Sequence, residues 1–154
     1  MAGEHSWEGL AKGLLVLAVL WWAWVGYSWL TSVLDPEEGL VRLAMFAAIA
    51  AFLVLALCIP EAFDDQGVTF AVAYAVVRVA HIALFLLASR DDPTLRSAVI
   101  AGLGVSAAVG VGLLAVASQL DGTAQGAVWL AAIALDVAGP LFFGSEGWEI
   151  VPGR

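Results

Sequence analysis

The chain has 154 residues, 62% of them apolar and only 13% charged, with a mean hydropathy of +0.96, whereas an ordinary soluble domain carries roughly 25% charged residues. So few polar side chains cannot cover a water-soluble domain of this length, and lipid is the implied solvent. Six Lys and Arg against fourteen Asp and Glu give a net charge of −8 and no basic stripe to meet phosphates, which excludes a nucleic-acid binder, and the single cysteine, Cys58, allows neither an internal disulfide nor a cysteine metal site.

Crossing about 30 Å of hydrocarbon takes roughly 20 helical residues at about 1.5 Å each. Five apolar runs reach that length: 13–34, 40–59, 68–89, 97–118 and 124–143. They are too long and too unalternating for barrel strands, and backbone groups in lipid must be satisfied within the segment, so helices follow. The expected fold class is all-α, a polytopic bundle of five membrane-spanning helices in a single transmembrane domain over residues 1–154.

Ahead of the first run stand Glu4, Glu8 and Lys12, and the run itself is too long for a cleavable signal and lacks an A-x-A site. The first helix is therefore expected to stay in the mature protein. At Asp35-Pro36-Glu37-Glu38 an N-cap acid, a proline at the first helical position and acids in the first turn suit the start of the second helix, and Asp92-Pro93 repeats the device before the fourth. The acids from Glu61 to Asp65 read as a solvated loop. Counting only Lys and Arg on alternate sides sets Lys12 against Arg42, Arg90, Arg96 and Arg154, which predicts the N-terminus outside and the C-terminus inside.

Hydropathy does not explain Arg78 and His81 inside the third run or Asp136 inside the fifth. A central Arg or Asp costs about 2.5 to 3.5 kcal/mol on insertion, so such residues face the bundle interior and find partners. Counted from the outer ends of parallel helices, Arg78 lies about 15 Å deep, Asp136 about 18 Å and His81 about 20 Å. Tyr74, Arg78 and His81 share one helical face, and the same count brings Trp24, Tyr27 and Ser106 to the same stratum. Arg78 and Asp136 are expected to pair, either as an inert structural ion pair or as part of an ion or proton path in which His81 could relay. Trp21, Trp22 and Trp24 sit at mid-span, away from an interfacial aromatic belt, and read first as apolar filling between helices. One His and one Asp at this depth are too few for a metal site.

Small residues recur every four positions at Gly102, Ser106 and Gly110, with Gly104 and Gly112 beside them, which predicts close packing of the fourth helix; Ala44 with Ala48 and Ala47 with Ala51 repeat the pattern in the second. Gly139-Pro140 is expected to loosen or kink the fifth helix just past Asp136.

From Trp21-Trp22-Ala23-Trp24-Val25-Gly26-Tyr27 through Asp35 and Arg42-Leu43, the sequence resembles the bacterial low temperature requirement A family. The likeness continues through Ile59-Pro60-Glu61-Ala62-Phe63, Phe70-Ala71-Val72-Ala73-Tyr74 with Arg78, Asp136 with Gly139-Pro140, and Trp148-Glu149-Ile150-Val151-Pro152. It implies an all-helical bacterial inner-membrane protein linked to growth in the cold, and a chain matching most of the first half of a longer protein. It supplies no reaction and no site residues.

Two functions compete. The first is a transport- or channel-like bundle with Arg78, His81 and Asp136 lining a midplane site; the second is a structural or accessory membrane protein whose polar layer fixes helix packing. A water-reachable cavity at the charged layer favours the first, a dry and fully paired layer the second. No nucleophile with a base and no metal set is present, so neither an enzyme nor a cofactor is expected. The expected partners are the lipid bilayer and either the remainder of the same protein or a second copy.

Overall fold

A computed structural model describes residues 7–31, 34, 39–89 and 93–143, and every regular element among them is helical. Helix α1 spans Trp7–Leu30, α2 Gly39–Cys58, α3 Gly67–Ala88, α4 Pro93–Val99, α5 Val105–Ala117 and α6 Gly122–Phe143. A short 3-10 turn, Ile59–Glu61, extends α2, and a π-helical stretch, Ile100–Gly104, joins α4 to α5 into one continuous rod. Four segments are long and apolar enough to cross a membrane: Trp7–Leu30, Gly39–Glu61, Gly67–Ala88 and Ile100–Ala117. The fifth expected crossing corresponds to α6, a helix of 22 residues.

The helix ends differ from the apolar runs for local reasons. Helix α1 starts at Trp7, six residues before the apolar run, and Glu8 and Lys12 pair at 3.0 Å across one turn of it. Hydropathy finds the part of a helix that suits lipid, and polar residues spaced i, i+4 carry the helix beyond it. At the other end α1 stops at Leu30 and not Leu34, although Thr31 and Leu34 still donate back to the carbonyls of Tyr27 and Leu30. The fourth rod opens on Pro93 as its first helical residue, where the missing N–H costs nothing. Helix α6 opens on Gly122 at φ +59°, a left-handed value that favours glycine. The acids at 35–38, Asp92 and the exit from 144 onward lie outside the described residues. Helix α6 runs unbroken through Gly139-Pro140 to Phe143, though Pro140 has no N–H to give the Asp136 carbonyl.

Helix α3 is the hub, packed directly against α1, α2, α4 and α5. Half of its apolar stretch is buried, against 17% of α1's and 22% of α2's, so those two helices present most of their surface outward. At one end of the bundle the α2–α3 turn gathers its neighbours. Phe63 stacks on Trp129 at 4.4 Å, its carbonyl accepts from Gln125 at 2.8 Å, and Lys12 stands 5.6 Å over its ring. The N-terminal parts of α1 and α6 therefore lie on the same side as the turn after α2.

Helices α5 and α6 approach most closely where both are small. A Cβ built on Gly139 would run into the side chain of Ser106 and come within 2.9 Å of the Gly102 carbonyl, and one on Gly110 would stand 3.2 Å from Asp136 Cβ. The small residues at Gly102, Ser106 and Gly110 thus face α6, and the π-helical stretch brings the Gly102 carbonyl against Gly139. An alanine at an open helical position gains about 1 kcal/mol over glycine, so the sign of the change at Gly139 reports the contact. Gly139→Ala is expected to lose about 1–3 kcal/mol through overpacking, and adding Ser106→Gly should recover part of it, as read by thermal unfolding in detergent. A stabilised Gly139→Ala protein would contradict the close approach.

Candidate functional site

Buried polar side chains from α1, α3 and α6 meet in one cluster: Tyr27, Tyr74, Arg78, His81 and Asp136. Arg78, near the middle of α3, donates from Nη2 to Asp136 Oδ1 at 2.7 Å, and Tyr74, one turn earlier, donates its hydroxyl to Asp136 Oδ2 at 2.6 Å. Both carboxylate oxygens are thus engaged, and Arg78 and Asp136 are each only 2% exposed. Helix α6 is joined to α3 here by side chains, and two long ones, Arg78 and Tyr74, close the gap. The i, i+4 spacing of Tyr74 and Arg78 aims two donors at one acceptor.

On the far side of Arg78, Nη1 lies 3.0 Å from His81 Nδ1. A guanidinium only donates, so Nδ1 accepts and the ring proton is assigned to Nε2. The His81 ring stacks on Tyr27 at 5.3 Å, and the Tyr27 hydroxyl donates to the Val77 carbonyl at 2.8 Å. The ring edge carrying Cε1 and Nε2 is pressed against Gly26: a Cβ there would overlap Cε1 and sit 2.8 Å from Nε2. Glycine at 26 is what lets α1 approach α3 at this level. The cluster therefore runs Tyr74, Asp136, Arg78, His81, Tyr27, linking three helices.

Three buried N–H groups in or beside this cluster lack a hydrogen-bond partner of good geometry: Arg78 Nε, His81 Nε2 and Trp22 Nε1. Trp22, Tyr74, Gly110 and Asp136 border a space of about 10 Å³, roughly what one water needs.

Two of the residues expected at this layer stand elsewhere. Trp24 is 56% exposed and leans on Trp21, itself 60% exposed, with ring centroids 5.1 Å apart. These two tryptophans face outward and fill no interior gap, because the buried face of α1 passes through Val16, Val19, Ala23, Tyr27 and Leu30, and one residue beyond Ala23 turns about 100° away. Ser106 is buried, but its hydroxyl donates to the Leu103 carbonyl at 3.3 Å and its side chain packs on Gly139, so it belongs to the α5–α6 contact. Depth alone missed Trp22 and Trp129. Trp22 borders the cluster, and Trp129, 2% exposed, packs between Phe63 and Phe70 about two turns before Asp136 on α6. Trp22 was legible as the position one turn before Gly26. Trp129 carried no signal apart from its size.

An all-helical bundle with several membrane-length apolar helices around a buried Arg–Asp–Tyr–His cluster defines a multi-pass integral membrane protein. Residues 1–153 match the model of the bacterial low temperature requirement A protein (LtrA) family, and the chain belongs to that family. The chain is also 38% identical over 84 residues to the uncharacterized protein RA0937 of Rhizobium meliloti (strain 1021), a match covering 54% of this chain and 20% of that protein. The chain thus matches about a fifth of that relative's length. No solved structure matches the chain.

Removing one member of the Arg78–Asp136 pair leaves the other charge buried and unsatisfied, which costs about 3–5 kcal/mol, whereas replacing both with apolar groups restores most of it. Arg78→Met and Asp136→Leu are expected to be strongly destabilising singly and markedly less so together, measured by a double-mutant cycle in detergent. Additive losses would mean that the pair is not coupled. Tyr74→Phe, which strips one donor from Asp136, should cost about 1–3 kcal/mol.

Proposed function

We propose that this chain is a five-crossing bundle of the bacterial inner membrane in which the Arg78–Asp136–Tyr74–His81 cluster fixes the register of α1, α3 and α6. It is a structural or accessory element and not an enzyme. The observation that carries this reading is the confinement of Asp136: each oxygen accepts a short hydrogen bond, and the adjoining space of about 10 Å³ holds about one water. An ion with a coordination shell needs more room than that. Two small-residue approaches, Gly26 to His81 and Gly110 to Asp136, press the helices onto the cluster from both sides, as a register device requires.

The transport- or channel-like reading is the second, favoured by the unpartnered buried N–H groups of Arg78 and Trp22. Reconstitution separates the two. The register reading expects ion and proton flux in proteoliposomes no greater than in protein-free vesicles, with or without Asp136→Asn. Flux that the substitution abolishes would establish the second.

The topology proposed is N-terminus outside and C-terminus inside, with α6 as the fifth crossing. The shared side of the α1 and α6 N-terminal parts and the α2–α3 turn supports α6 as the fifth crossing, and the excess of arginine on the opposite side supports the orientation. In a Cys58→Ser background, a cysteine at Asp121 should react with an impermeant maleimide applied outside whole cells, and one at Thr94 only after permeabilisation. The reverse pattern would invert the bundle.

A further inference from the structure

Helix α1 carries an outward stripe that the buried cluster does not use. Trp7, Leu10, Leu14, Leu17, Trp21 and Trp24 follow one another at alternating spacings of three and four, and each is between 54% and 86% exposed. At about 100° per residue the stripe is centred about 150° from the buried face through Val16, Val19, Ala23 and Tyr27, so it points away from the bundle. Gly13 flanks it on one side and Ala11 and Ala18 on the other. A lipid-facing side has to be apolar, but lipid does not sort it by size. Large residues at alternating three and four, with small ones beside them, are the knobs and holes of two helices wound around each other.

The tryptophans say what covers the stripe. Tryptophan favours the membrane interface, where its N–H finds water or head groups. Trp21 and Trp24 stand instead at the level of the charged cluster, since Trp22 between them borders the Asp136 space and Gly26 lies against His81. Acyl chains at that depth offer an indole N–H no acceptor. The two rings lean on each other at 5.1 Å and 43°, a ready-made aromatic face. A second copy inserted with the same topology presents the same pair at the same depth, so a two-fold axis along the membrane normal brings the pair onto its own image. Ring edges and N–H groups then meet ring faces in place of lipid, and the leucines seat in the hollows that Ala11, Gly13 and Ala18 leave.

We propose that α1 is an interaction surface for a second copy of this chain: two α1 helices pair in parallel through the stripe from Trp7 to Trp24, and the layer formed by Trp21 and Trp24 sets their match. The contact does not depend on the register reading, because the buried cluster lies on the opposite side of α1 and holds the bundle together in either case.

The test uses the full chain in lipid vesicles. In a Cys58→Ser background, Leu14→Cys and Leu17→Cys should give disulfide-linked dimers under a lipid-soluble oxidant, because paired stripe positions come within bonding distance. Ile49→Cys, at a residue 61% exposed on α2 and so equally open to lipid, should not. Energy transfer between donor- and acceptor-labelled copies, followed as lipid is added, reads the strength of association. Trp21→Ala with Trp24→Ala should weaken it about tenfold, the worth of an aromatic pair, while the helical content of the protein stays unchanged. Linkage through Ile49→Cys as readily as through Leu17→Cys would mean random collision, and no linkage at either stripe position would mean that lipid covers α1. Preferential linkage of Leu17→Cys to Val109→Cys, in the groove between α5 and α6, would mean a head-to-tail partner. Each of these, or a doubly substituted protein that associates as well as the parent, would overturn the two-fold contact.

Discussion

The bundle depends on the pairing of Arg78 with Asp136 in a setting where neither charge has water to fall back on. Each alone is expensive in hydrocarbon. Together, with Tyr74 on the second oxygen and His81 on the second guanidinium nitrogen, they form a chain of directed contacts with fixed lengths. Apolar packing between helices in lipid has little power to choose one register over another, since lipid tails are as apolar as the side chains they replace. A directed polar chain has that power: sliding α6 by one turn, about 5.4 Å, would separate Asp136 from both of its donors.

Such a chain works only if the backbones come close enough for side chains of finite length to meet. The glycines supply that closeness at particular points. Gly26 admits the His81 ring, Gly110 lies against the base of Asp136, and Gly139 lies against Ser106 and the Gly102 carbonyl. The π-helical stretch adjoins the last of these contacts, and such stretches are frequent where a helix adapts to a functional or tight contact. The polar cluster and the small residues are two halves of one device. The first specifies alignment, and the second brings the helices within its reach.

Much of this was legible from residue positions. Length and hydropathy located the helices, and counting 1.5 Å per residue from their outer ends brought Arg78, His81 and Asp136 to one level. The count failed for Trp24 and Ser106 because depth fixes height along the bundle and says nothing about azimuth. Trp24 is one residue past the buried Ala23 and points outward, while Ser106 faces α6 at a place where its hydroxyl is satisfied within its own helix. Helix ends were the other weak point, since polar residues such as Glu8 and Lys12 extend a helix that hydropathy cannot see. The π-helical stretch carried no periodic signal, because five residues are too few to shift an apolar pattern.

The histidine connects the rigid centre to the flank of the bundle. Arg78 has one nitrogen on a carboxylate and another on an imidazole, so the same side chain that anchors α6 also decides which histidine nitrogen carries the proton. That choice turns the ring N–H toward the backbone of α1 at Gly26, the point where α1 comes closest to the ring. Had the ring been held by a carboxylate instead, the nitrogen against α1 would be an acceptor. An arginine at position 78 therefore sets both the alignment of α6 on α3 and the histidine tautomer that meets α1, so one side chain governs the contacts on both sides of the central helix.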